Sequence, residues 1–250
     1  LVAEDGSLVS YLSIDGSRQI IGEEEYRYLI DSSVVKLGSR FDQPGHALQI
    51  FFARNPQRIG RELVKLNIPS RQSSKNIGLE VNDLYEERVR HMSRFLTWEG
   101  YYFVLWTRPS ILNKSESEKA QKNAKSAARY PASDAQNINM SYEAMRTRHK
   151  SYVTGFQSAL DEMGIRANLL EAHDALRAVR DNMFPSRASD NWKACLPGDP
   201  IPVRAPRSDK DLSDVLWPPL RQQIAMSHAE KKTANFVKMD GQLWGGCDIT

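Results

Sequence analysis

Two cysteines in 250 residues, Cys195 and Cys247, stand far apart and outside any metal-ligand spacing. That pattern excludes a disulfide scaffold and a zinc site and predicts a reducing, cytoplasmic setting. Long apolar runs are missing as well. The best of them, Tyr101 to Trp106, has strand length, well short of the roughly 20 residues a membrane-spanning helix needs. Charge of one sign is scarce: 34 basic residues against 31 acidic ones leave a net +3, too balanced to demand a polyanionic partner.

The phosphate-cradling loop GxxxxGK(S/T) is absent, since none of the fourteen glycines is followed by lysine. That loop works because consecutive backbone amides converge on phosphate while the lysine reaches the terminal oxygens, and scattered residues do not replace it. GxGxxG, GxSxG and HExxH do not occur. His46, His91, His149, His173 and His228 never fall within one helical turn of each other, so no helical metal pair forms. His91 follows Glu87 by four residues, the spacing of an ordinary surface pair. His173 and Asp174 are adjacent and would not face each other on a helix. Gly241, Gly245 and Gly246 read as turn and bulge positions.

What is present suffices for a core: 40% of residues are apolar and 26% charged, which places the chain among globular proteins. Leu8 to Ile14 reads as a strand, Asp15-Gly16 as a tight turn, and Arg18 to Ile21 as the returning strand. Glu23-Glu24-Glu25 opens a helix whose Tyr26, Leu29, Ile30, Val34, Leu37 and Phe41 form one apolar stripe. His46 to Ala53 is expected to be a central strand covered on both faces. A polar connector, roughly Asn67 to Asn76, leads to an amphipathic helix carrying Val81, Leu84, Tyr85, Met92, Phe95 and Leu96. Gly100 ends it, and Tyr101 to Thr107 forms the next strand. The order hairpin, helix, strand, helix, strand predicts an α+β fold with helices on a small mixed sheet over residues 1–112.

Residues 113–139 hold almost no large apolar side chain and predict a polar basic arm, either a solvated helix or a linker. Over 140–185, Met145, Tyr152, Val153, Phe156, Ala159, Leu160 and Met163 mark a helix stopped at Gly164. Asn168 and Glu171 are a capping pair for a second helix with Leu169, Leu176, Val179 and Met183 inside, ended by Pro185. The two helices read as an antiparallel hairpin. Residues 186–250 form an irregular, proline-rich segment. It ends in a strand hairpin, Phe236–Lys238 with Leu243–Trp244, expected to pack back on the sheet. Leu1 and the closing GGCDIT predict a segment of a longer protein.

The stretch Lys114 to Lys150 holds eight basic and four acidic residues. Nucleic-acid binding would need this charge interleaved with stacking aromatics, and Tyr130 and Tyr142 alone qualify. Lys119, Lys122 and Lys125 are the arm's candidates for partner contact. Trp98 and Trp106 belong to a strand and its core. Trp192 and Trp217 lie in irregular sequence, where each either clamps a loop to the body or anchors a partner. With Leu220 they complete the set of interface candidates. Cys195 would serve as a nucleophile only beside a histidine brought to it by the fold.

The opening DGSLVSYLSIDG, the helix after it, the strand phrase LQIFFARNP and the run GFQSALDEMGIRANLLEAHDALRAVRDNMFP resemble type IV secretion ATPases of the CagE/TrbE/VirB class, above all the ATPase of the Dot/Icm type IVB apparatus and its conjugative-plasmid relatives. The resemblance implies an N-terminal α+β domain followed by a motor that holds ATP and Mg²⁺, so that this segment itself carries no cofactor and no catalytic residue. It further implies a dimeric or hexameric protein at the cytoplasmic face of a bacterial inner membrane, contacting other secretion subunits and its own motor and moving protein or conjugative DNA. A nucleic-acid-binding module using residues 114–150 is the competing reading.

Overall fold

The computed structural model describes residues 1–3, 5–42, 44–56, 58–126, 143–185, 188, 191–196, 199, 220–225, 229–233, 236–239 and 241–245, apart from the side chains of 120, 121, 123–126 and 143. The α+β class is as the sequence predicts. Strands β1 (Leu8–Ser17), β2 (His46–Asn55), β3 (Trp98–Thr107) and β4 (Ile165–Leu169) form a four-stranded antiparallel sheet in the order β2-β3-β1-β4. The chain divides into two compact units, Leu1–Gln49 with Phe103–Thr250, and Ile50–Tyr102.

In the first unit, β1 lies inside the sheet, and its Leu8, Val9 and Leu12 are buried. No hairpin follows it. Asp15-Gly16 instead forms an irregularity within one long strand: Ile14 faces Ala167, Gly16 faces Arg166, and Gly16 takes a φ of +114°. The Asp-Gly pair thus supplies the positive φ of a bulge rather than that of a turn. Arg18 to Ile21 is no strand, and Ile20 is almost fully exposed. β1 finds its partner in β4 instead, about 150 residues away, in the stretch expected to be a helix–helix turn. Asn168 sits in that strand and donates to Asp15 Oδ2 (2.6 Å), so it caps nothing, and Glu171 occupies the N-cap of the next helix.

Helix α1 (Glu23–Gly38) starts as its acidic run predicts, with the Gly22 N–H donating to Glu25 Oε2. The single stripe expected on it is split into two rows of i, i+4 spacing. Leu29 and Leu37 turn half-buried to the core, whereas Tyr26, Ile30 and Val34 are exposed. Strand β2 stands at the edge of the sheet, not its centre, and Ile50 and Phe52 are exposed. Its near-continuous apolar pattern imitates a strand covered on both faces, but edge or centre is settled by pairing far away in sequence.

Helix α4 (Lys114–Ser126) occupies the start of the polar arm. Asn113 caps it reciprocally: Glu116 N–H donates to Asn113 Oδ1 (2.9 Å) and Asn113 N–H to Glu116 Oε2 (3.0 Å). Helix α5 (Glu143–Glu162) is the core helix, and all seven of its expected apolar residues are buried. Five of them, Tyr152, Val153, Phe156, Leu160 and Met163, build the central cluster with Leu12 and Leu105. Gly164 ends it with φ +74°. Helix α6 (Ala172–Met183) buries Ala175, Leu176, Arg180 and Asp181, while Met183, expected inside, is exposed. Phe184, one residue past the helix, is buried in its stead. A short helix, α7 (Leu220–Ile224), packs against α6. The final hairpin, β6 (Phe236–Met239) and β7 (Gln242–Gly245), forms its own three-stranded sheet with β5 (Glu230–Lys231) and does not join the first one.

In the second unit, helices α2 (Ile59–Asn76) and α3 (Asn82–Met92) pack together. The connector expected over Asn67–Asn76 is the second half of α2, which carries Pro69 in its interior. Proline removes one helical hydrogen bond, and the polar run hides the period. Side-chain bonds to α3 hold that half: Arg71 donates to Asn82 Oδ1, and the Ser74 and Tyr85 hydroxyls meet at 3.3 Å. The second helix ends at Met92, short of Phe95 and Leu96, and Gly100 lies within β3 rather than at a helix end.

Candidate functional site

Helix α5 carries one polar side chain in its apolar row. His149 lies four residues after Met145 and four before Val153, both buried, so helical spacing turns its ring inward. There it meets β1 and β3. His149 Nε2 is 2.8 Å from Ser10 Oγ, and Nδ1 is 2.8 Å from the buried Thr107 Oγ1. Thr107 Oγ1 also lies 3.1 Å from His46 Nδ1, and the His46 ring stacks on Tyr152 at 4.1 Å. Thr107 has one proton, so one imidazole donates to it and the other accepts from it. If His149 donates, its Nε2 accepts the Ser10 hydroxyl proton; if His46 donates, His149 Nε2–H donates to Ser10. Both arrangements satisfy a neutral His149.

The surroundings keep it neutral. Burial, then the Leu1 ammonium, then His46 lower the His149 pKa to about 4, and no carboxylate among the described residues bonds to it. A serine nucleophile needs its histidine to carry charge at the transition state, normally steadied by an acid behind the ring. Thr107 supplies none. The Ser10–His149–Thr107 hydrogen bonds thus form a neutral strut tying α5 to β1 and β3.

This strut has a pH consequence. Unfolded His149 takes up a proton near pH 6.5, whereas in the fold it does so near 4. Above 6.5 neither state holds the proton; between the two values the unfolded state alone does, so stability falls as pH falls and levels off below 4. After discounting for the solvent the ring still sees, the expected loss is about 2 kcal/mol. His46, lowered mainly by burial, acts in the same direction. Urea titrations at several pH values should show a clearly flatter profile for His149→Gln. An unchanged slope would assign the acid loss elsewhere.

Ser10 and His149 open onto a cleft of about 520 Å³. Leu8, Val153 and Leu169 form its apolar wall, and Arg146, Lys150 and Gln157 its polar one. Among the described residues no three His, Cys, Asp or Glu side chains converge as a metal site, and no helix is long and apolar enough to cross a membrane.

The residues singled out from sequence lie elsewhere. Trp192 is half-buried under the Arg180 guanidinium, 4.9 Å from its ring centre. Leu220 is half-buried at the start of α7, and Lys119 and Lys122 are exposed on α4. Lys125 lies in α4 with its side chain outside the described set, and Trp217 falls outside the described residues. Arg148 of the basic stretch is engaged: it donates to Ile111 O (2.7 Å) and to Glu116 (2.8 Å). Cys195 is exposed, its backbone clamped by both ends of the Gln223 amide, and no hydrogen bond among the described residues joins its sulfur to a histidine. His173 takes its carboxylate from Asp199 (2.9 Å), not from Asp174, which pairs with Arg177. The one sequence signal for His149 was its place in the α5 row. Nothing local pointed to Ser10 or Thr107.

No family model matches the chain, and no curated protein sequence matches it.

Proposed function

We propose that this chain is the N-terminal, non-catalytic assembly domain of a type IV secretion ATPase of the CagE/TrbE/VirB class, of the Dot/Icm kind. It docks a motor on a bacterial inner-membrane channel complex, from the cytoplasmic side, and helps the motor subunits oligomerise. ATP and Mg²⁺ belong to that motor. The observation that carries the reading is helix α1. None of its sixteen residues is buried, yet it is apolar on two sides: Leu29 and Leu37 pack on the core, while Tyr26, Ile30, Val34 and Val35 stand 47–74% exposed. Clustered exposed apolar side chains mark a surface that meets another protein.

Replacing Ile30 and Val34 together by Asp should leave the fold intact, because both are already in solvent, and should release the protein from membranes bearing the channel complex. Retention of that variant at the wild-type level would dismiss the docking face. The purified chain is expected neither to bind nor to hydrolyse ATP. Turnover abolished by one substitution within residues 1–250 would overturn the assignment.

A further inference from the structure

The cleft beside the Ser10–His149 strut has a charge pattern that the docking reading does not use. Arg146 and Lys150 lie one turn apart on α5, both exposed, and neither makes an ion pair among the described residues. Among the described residues no Asp or Glu lines the cleft. The lining also holds apolar side chains from α5, β1 and β4, with Leu8 and Val153 buried and Leu169 half in solvent. Arg146 and Lys150, two side-chain cations beside apolar lining, suit a ligand that is anionic at one end and hydrocarbon along its body. A volume of about 520 Å³ lies within the range of small-molecule sites.

We propose that this cleft binds a small aliphatic carboxylate, with the carboxylate between Arg146 and Lys150 and the chain against Leu8, Val153 and Leu169. Ser10 and Gln157 offer neutral hydrogen bonds beside the charged end. The Leu1 ammonium, also in the lining, donates to Val9 O (2.8 Å) and a neutral His149 adds no charge, which leaves Arg146 and Lys150 at the α5 rim to hold the carboxylate. The bound anion also couples to the strut. The groups that face His149 are the Leu1 ammonium and His46, with Arg146 and Lys150 on its own helix, and all of them disfavour a charged ring. A carboxylate placed among them offsets that repulsion, so binding must raise the His149 pKa.

The test is calorimetric titration of the full chain with octanoate, with octylamine and inorganic phosphate as probes of charge and body. Octanoate should bind best. Arg146→Ala with Lys150→Ala should weaken it by about tenfold or more, the worth of a charge-assisted contact. Leu169→Ser, at a half-exposed site that leaves the core alone, should weaken octanoate while sparing any residual phosphate binding. NMR titration of the His149 ring should show its pKa rising when octanoate is present. Octanoate affinity unaffected by the double variant, octylamine binding as tightly, or a His149 titration that octanoate does not move would each overturn the proposal. None of these outcomes depends on the docking face of α1.

Discussion

Phe156→Ala should destabilise the protein by about 3–5 kcal/mol, the usual cost of emptying a buried aromatic site. Phe156 is wholly buried at the centre of α5. Its ring meets the edges or faces of Phe103 and Tyr152, both with centroids 6.0 Å away and planes inclined at 88° and 71°. Each such edge-to-face pair adds about 0.5–1.5 kcal/mol beyond area burial, so alanine loses the transfer free energy, two aromatic contacts and gains a void. Small domains are stable by only about 5–15 kcal/mol, and the variant should unfold at a much lower urea concentration. Phe156→Leu keeps most of the volume and should cost about 1–2 kcal/mol. A urea midpoint for the alanine variant within error of wild type would mean that α5 is not the core helix.

Gly45→Ala is the second large effect, expected at about 2–3 kcal/mol. Gly45 holds a φ of +108°, which a side chain disfavours, and the space is closed as well. A Cβ there would stand 2.8 Å from Ile111 Cβ and 2.9 Å from the Ile111 backbone nitrogen. The backbone of the 3₁₀ turn Pro109–Ile111 cannot swing away as a flexible side chain would, because Arg108 N–H donates to Gly45 O (2.7 Å) and holds the two segments together. Gly38→Ala is the control. Gly38 has helical backbone angles and open space around it, so alanine should stabilise by about 0.5–1 kcal/mol through the unfolded chain. Equal midpoint shifts in the two variants would remove the argument from crowding at Ile111.

The elements that could be read in the sequence are those whose signal is local. The α5 row is regular over five turns, its stop at Gly164 needs only a positive φ, and the acidic start of α1 needs only a helix end. The final hairpin was legible for the same reason, as Asp240-Gly241 sits between two short apolar runs. Where two structures share one local signal, the reading failed. Asp15-Gly16 serves a bulge as well as a turn, and Pro69 with a polar run suits a loop as well as the half of α2 held by Arg71 and Ser74. The tyrosine, isoleucine and valine of α1 belong to the same broad stripe as Leu29 and Leu37 until a sheet chooses which row to cover.

By itself, then, the sequence determined the α+β class, the core helix, the absence of a phosphate loop and the charge balance, because each depends on residue type and spacing within a few turns. The tertiary structure alone decided that β1 pairs with β4, that β2 is an edge, and that Ser10, Thr107 and His149 meet. Ser10 and Thr107 lie 139 and 42 positions from His149 in the chain, and hydrogen bonds over such separations follow from the packing of α5 on the sheet, which no local period encodes.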